Sequence, residues 1–258
     1  MSILQKALIA KSGYDCGFEH VPSETATGLI LASPRHSAQL EVRIAGTAFN
    51  ARVVKGNALL VSELRRHFPG KNNQFQCESS KHLRFLLRRA AELAQSLPNQ
   101  AKVDFENAVA SKLEKLPDVV KGTEVERMVR QRIGQQTFRA AMLDYWGGAC
   151  AVTGIALPEV LRASHAKPWA ACDTDAERLN VFNGFLLSAN LDALFDRFLI
   201  SFDDNGTLLV SVALANQHVE GLGLARPLRL RWLAEEHTQY LRYHRARFSE
   251  ALAEGRSS

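Results

Sequence analysis

Residues 182–196 read FNGFLLSANLDALFD, and the polar side chains inside this apolar stretch decide how the C-terminal half is read. Asn183–Gly184 is a turn dipeptide. SANLDALFD then reads as a short helix, with Ser188 placed as its N-cap and Leu191, Leu194 and Phe195 on one apolar side. Asp192 and Asp196 stand four apart, so both carboxylates project from the same face. Two such charges repel by roughly 0.2–0.5 kcal/mol, and helix formation alone gives little reason to place them there. A hard divalent cation shared between them removes the objection.

Outward from this stretch, ASHAKPW (163–169) carries His165 three positions before Pro168, which blocks helix continuation. By itself this histidine reads as a partly buried core residue. Its company changes that: His165, Asn183, Asp192 and Asp196 follow in order, separated by 17, 8 and 3 residues. CAVTG (150–154) and EVLRASHAKPW (159–169) read as two strands of a hairpin with His165 late on the second. Before them, TEVERMVRQRIGQQTFRAAMLDYWGG (123–148) reads as a long amphipathic helix. Thr123 and Glu126 form a capping box, Gly134 marks a bend, and Gly147–Gly148 ends the helix.

Taken together, CAVTG…ASHAKPW…FNGFLLSANLDALFDRFLISFDDNG resembles the HNH nuclease motif, the ββα-metal fold, in its bacterial group with a carboxylate-rich final helix. RIGQQTFRAAMLDYW is similar to the segment that leads into that module, and the resemblance spans roughly 123–215. It implies a C-terminal ββα-metal (HNH) module preceded by a long helix; the strand and helix patterns of residues 1–98 add a small N-terminal α/β or α+β domain, so the expected class is α+β. The resemblance implies that His165 is the general base that takes a proton from the attacking water, a task suited to a neutral imidazole near pH 7. Asn183 would orient His165 and pin its loop. Asp192 and Asp196 would be the metal ligands, and one divalent cation would stabilise charge on the phosphate and the leaving oxygen. Many relatives carry Asp or His directly before the catalytic histidine; here Ser164 stands there, a weaker ligand. Hard oxygen donors select Mg²⁺ or Mn²⁺.

Farther out, Lys167, Arg197 and Arg139 are expected near a DNA backbone, with local structural roles as the alternative. Trp169 and Phe182 read as core packing. SFDDNGTLLVS (201–211) reads as a hairpin turning at Asp204-Asn205-Gly206.

Composition bounds the rest. The 258 residues are 46% hydrophobic and 23% charged, ordinary for a globular chain, and no apolar run approaches a membrane span. No secretory signal is evident, which makes the cytoplasm the expected location. Four scattered cysteines without a C-x-x-C pair argue against a zinc finger and for unpaired thiols, although a Cys150–Cys172 contact is open. The net charge is +5, distributed unevenly: residues 1–98 hold 13 Lys/Arg against 7 Asp/Glu, and residues 99–258 hold 19 against 20. The expected organisation is an N-terminal basic domain (1–98) for target recognition or assembly, a helical connector (99–122) ending in LPDVVKG, and a nuclease domain (123–258, core 148–212).

In the N-terminal part, TGLILAS, QLEVRIAG and TAFNARVV read as strands and ALLVSELRRHF as a helix. SKHLRFLLRRAAELAQSL is a stronger helix, whose polar face carries Lys81, Arg84, Arg88 and Arg89. Arg84 and Arg88 are candidate phosphate contacts, or simply a solvated face. The expected function is a metal-dependent DNA endonuclease acting on double-stranded DNA, in restriction or defence against foreign DNA. A monomer would nick, and a homodimer would cut both strands. The alternatives are a nucleic-acid-binding module with a degenerate, inactive HNH site, and a protein whose His/Asp cluster is only structural.

Overall fold

The computed structural model describes residues 1–25, 27–98, 100–115, 122–214 and 216–254. Its contacts divide the chain into two units, Met1–Gln100 and Ala101–Ser258. Both are built from helices and antiparallel strands, an α+β composition.

The first unit opens with α1 (Ile3–Tyr14), whose Ser2 cap accepts from the Gln5 amide while the Gln5 side chain returns to Ser2. Strands β1 (His20–Glu24), β2 (Gly28–Ala32), β3 (Gln39–Ala45) and β4 (Ala48–Lys55) follow. Helix α2 (Ala58–Arg65), β5 (Gly70–Lys71), β6 (Gln74–Cys77) and α3 (Ser80–Ser96) complete the unit. The six strands form one antiparallel sheet in the order β1-β2-β3-β4-β6-β5. Period-two alternation points Leu40 and Val42 of β3, and Phe49, Ala51 and Val53 of β4, into the core. Against them α3 lays Leu83, Leu86, Leu87, Ala90, Leu93 and Ala94, all buried. Glu41 is also buried, and Arg43 and Arg52 each hold its carboxylate at 2.7 Å.

The second unit contains α4 (Gln100–Glu114), α5 (Thr123–Tyr145), β7 (Leu161–His165), α6 (Asp175–Arg178), β8 (Gly184–Ser188) and α7 (Ala189–Phe195). After these come β9 (Ile200–Phe202), β10 (Leu208–Val210), α8 (Asn216–Gly221) and α9 (Thr238–Glu254). The hairpin that matters is β7 with β8, antiparallel, with His165 opposite Gly184 and Leu161 opposite Ser188. Every residue of β8 is buried, because α5 and α7 both pack on this ribbon. A second hairpin, β9 with β10, turns where expected. The Asp203 carboxylate accepts from the Asn205 and Thr207 amides, and Gly206 takes φ +77°. Among the described residues no helix is long and apolar enough to cross a membrane. All four cysteines are free and buried.

Several local expectations need correction. CAVTG is not a strand: Gly154 donates back to the Cys150 carbonyl and the Cys150 amide to Ile155, closing a tight loop. Strand β8 pairs with β7 in its place, and CAVTG lies beside it: Cys150 and Ala151 are buried, and the Ala151 amide donates to the Leu186 carbonyl. Asn183–Gly184 is not the turn itself; the Asn183 amide closes a turn on Asn180, and Gly184 already belongs to β8. Thr123 does not cap α5, since it is the first helical residue and Gly122 stands at the cap with no side chain to offer. Helix α5 runs unbroken through Gly134, from Thr123 to Tyr145. That glycine instead receives the Trp169 indole: a Cβ there would lie 2.2 Å from the ring. Gly147 and Gly148, at φ +63° and +67°, do end the helix, and the Gly148 amide reaches the Leu143 carbonyl. LPDVVKG lies, apart from Gly122, outside the described residues.

Candidate functional site

Strand β7 and helix α7 bring the candidate residues together. His165 ends β7, while Asp192 and Asp196 lie on α7 and at its C-terminal cap. His165 and Asp196 line a cavity of 310 Å³, together with Trp169, Phe195, Phe198 and His244, whereas Asp192 is not among its lining residues.

Three contacts fix the His165 ring. Phe138 of α5 stacks on it with centroids 3.8 Å apart, and Trp169 meets it edge-on at 5.8 Å. Its Nε2 lies 2.8 Å from the Arg178 carbonyl oxygen. A carbonyl can only accept, so Nε2 carries the proton and Nδ1 is left as the basic nitrogen. Burial lowers the His165 pKa to about 4, opposed in part by the Arg178 carbonyl, so the ring is neutral at pH 7.

Arg178 had no signal in the sequence. Its guanidinium binds the Trp169 and Cys172 carbonyls and pairs with Asp175 at 3.0 Å, which locks the loop that presents its own carbonyl. Asn183, expected to orient His165, is fully buried and acts on the loop alone. Its Oδ1 accepts from the Lys167 amide at 2.8 Å, and its Nδ2 donates to the Lys167 and Glu177 carbonyls. The orienting partner is backbone because the Asn183 amide is consumed by the chain that carries Lys167.

Ser164 is buried and donates to Asp192 Oδ1 at 2.6 Å. The Asp196 carboxyl has no hydrogen bond or ion pair among the described residues. Its pKa is pushed up to about 6, first by desolvation and then by the charge of Asp192. The pair is thus electrostatically frustrated, one carboxylate bonded and the other bare.

The cations expected near DNA are mostly engaged. Lys167 pairs with Glu177 at 2.8 Å and Asp173 at 3.4 Å. Arg139 donates to the Leu161 and Pro158 carbonyls at 2.7 and 3.0 Å, fixing the start of β7 against α5. Arg197, just past α7, is exposed and bonds the Ala193 carbonyl of that helix. Phe182 is buried in the core. Trp169 packs on Gly134 and also walls the cavity.

His244, from α9, was not singled out by the sequence. It is 1% exposed and stacks on Phe195 at 3.7 Å. Its Nε2 donates to the Phe195 carbonyl at 3.0 Å, and its Nδ1 accepts from the Ser201 hydroxyl at 2.9 Å. The residue it holds immediately precedes Asp196.

Residues 150–203 match the family model described as HNH endonuclease. This segment is similar to HNH endonuclease domains. The match takes in β7, β8, α7 and β9, and so includes His165, Asn183, Asp192 and Asp196. His244 and the long helix α5 lie outside it, although both touch the residues of the HNH cavity. A comparison with curated proteins returned no match.

Proposed function

We propose that the HNH unit hydrolyses phosphodiester bonds in DNA with His165 as general base. The observation that carries this reading is the tautomer of His165: the Arg178 carbonyl holds the proton on Nε2, so Nδ1 can accept one from water. Desolvation holds its pKa down to about 4, so the ring is neutral at pH 7 and free to accept a proton.

Asp192 and Asp196 fit a hard cation. They supply oxygen donors four residues apart, one of them bare, and their mutual repulsion is the kind of strain a bound cation relieves. Among the described residues no group of three His, Cys, Asp or Glu side chains is disposed to hold a metal. The protein would therefore contribute two ligands, with water and phosphate completing the shell, which favours loosely held Mg²⁺ or Mn²⁺. When bound, the ion supplies Lewis-acid stabilisation of the charge that develops on the phosphate. Ser164 serves this arrangement by bonding Asp192, not as a ligand of its own. Restriction or defence against foreign DNA is the biological role we assign to such an activity.

The test is plasmid cleavage in Mg²⁺ or Mn²⁺ by the wild-type chain beside His165→Ala. Loss of roughly 10²–10⁴-fold in rate, with an unchanged circular-dichroism spectrum, is expected on removing a general base. Equal cleavage by the two proteins sinks the assignment of His165. Absence of cleavage by wild type with either metal, while DNA is still bound, supports the degenerate-site alternative.

A further inference from the structure

We propose that the exposed face of α3 in the first unit is a docking surface for the phosphate backbone of duplex DNA. The proposal rests on the reading of the HNH unit as acting on DNA and identifies where the chain's affinity for that polyanion comes from.

Two independent observations lead there. The first is an electrostatic deficit in the unit that carries the HNH site. Most of its arginines and lysines near the cavity are spent on internal partners: Lys167 on Glu177, Arg130 on Asp175 and Glu106, Arg178 on Asp175, and Arg139 on backbone carbonyls, which leaves Arg197 as an exposed cation there. Residues 99–258 carry no positive surplus to offset this, with 19 Lys/Arg against 20 Asp/Glu. Non-specific binding to DNA is driven by cations that displace condensed counterions, and cations already neutralised do so poorly.

The second observation is where the surplus lies. Residues 1–98 carry 13 Lys/Arg against 7 Asp/Glu. On α3, Lys81, Arg84 and Arg88 stand at helical spacing on the exposed side, opposite the leucines that pack on the sheet. With Ser80 and Phe85 they line a groove of 420 Å³. Arg84 has a loose ion pair with Asp15 at 3.6 Å, whereas Lys81 and Arg88 have no acidic partner among the described residues. Phe85 is 58% exposed and gives the groove an apolar wall against which sugar edges can pack. A groove lined by three cations and one aromatic suits a chain of phosphates and sugars. It suits an apolar protein partner poorly, since three charges would have to be desolvated.

The experiment uses the full chain in a His165→Ala background, without divalent metal, so that binding is measured apart from cleavage. A short labelled duplex is titrated by fluorescence anisotropy across a KCl series. One variant carries Lys81→Ala, Arg84→Ala and Arg88→Ala; a control removes three exposed cations elsewhere in the unit by Lys55→Ala, Arg65→Ala and Lys71→Ala. The face variant should bind on the order of 10- to 100-fold more weakly at low salt, and its log–log salt slope should flatten by about 3. The control should stay close to wild type. Unchanged affinity in the face variant overturns the proposal, as does an equal loss in both variants, which would make the effect one of net charge alone. Binding of the wild-type chain to anionic phosphatidylserine vesicles but not to duplex would also overturn it. Loss of cleavage with docking intact bears on the proposed function and leaves this surface standing.

Discussion

Ser164 and Asp192 are joined by a 2.6 Å hydrogen bond that ties the last turn-facing residues of β7 to helix α7. The bond lies beside His165 in sequence and beside Asp196 in space, so it sets the register between base and carboxylates. A bond to a charged acceptor contributes about 1.5–3 kcal/mol, more than a neutral one. Ser164→Ala is expected to lower stability by about 1–3 kcal/mol and to raise the Mn²⁺ concentration needed for half-maximal cleavage. Urea melts and a metal titration check the two parts separately. Unaltered metal dependence would show that Asp192 needs no such tether.

Gly134 and Trp169 form a knob and a bare patch of helix. Alanine at 134 gains roughly 1 kcal/mol in helix propensity over glycine. Its Cβ, however, would sit 2.2 Å from the indole, which must move. Because Trp169 also edges the His165 ring and walls the cavity, the displacement reaches the site. Gly134→Ala should therefore lose about 1–3 kcal/mol of stability and reduce cleavage, against the propensity trend. Tryptophan fluorescence melts follow the first effect. Stabilisation by this substitution would contradict the packing described above.

His165 and His244 are both held near pKa 4 by burial, against about 6.5 for a free histidine. Between these values the unfolded chain binds more protons than the folded one, so stability rises with pH over that window and levels off above it. The ceiling is roughly 3 kcal/mol per histidine. Asp196 works in the opposite sense below pH 6, because its carboxyl is more readily protonated when folded. The expected net result is a second unit that weakens as pH falls from about 6.5 towards 4. His244→Gln should flatten that dependence. The three tryptophans all belong to this unit, so their fluorescence reports its unfolding selectively.

His244→Ala strands the Phe195 carbonyl and the Ser201 hydroxyl in the interior, at a cost of about 1–3 kcal/mol for each unsatisfied group. His244→Phe keeps the stacking on Phe195 but loses both bonds. If His244 positions Asp196 through that carbonyl, both variants should need more Mn²⁺ for cleavage, and electron paramagnetic resonance of bound Mn²⁺ should show the same weakening. Full metal affinity in His244→Phe would reduce the histidine to packing.

Much of the second unit was legible locally. The spacing of His165, Asn183, Asp192 and Asp196, the helix at 189–195, the 204–206 turn and the glycine stop after Tyr145 all follow from side-chain chemistry within a few residues. So did β2, β3, β4, α2 and α3 of the first unit, whereas the short strands β1, β5 and β6 escaped, as did α1 despite the Ser2/Gln5 box that announces it. Two of the differences turn on a partner distant in sequence. CAVTG has strand-like residues, yet β8 takes the place beside β7, with all five of its residues buried. Gly134 looked like a hinge because the tryptophan that fills it lies 35 residues downstream.

By itself, the sequence determined which groups could do chemistry here: one histidine, two carboxylates in helical register, and a basic N-terminal part. Only the tertiary structure decided which nitrogen of His165 is basic, because that depends on the Arg178 carbonyl. It likewise decided that Asp192 is tethered while Asp196 is bare, and that the cations around the site are spent on carbonyls and carboxylates. Proton placement and charge pairing are set by neighbours within about 3 Å, and folding brings those neighbours from positions that local sequence patterns do not connect.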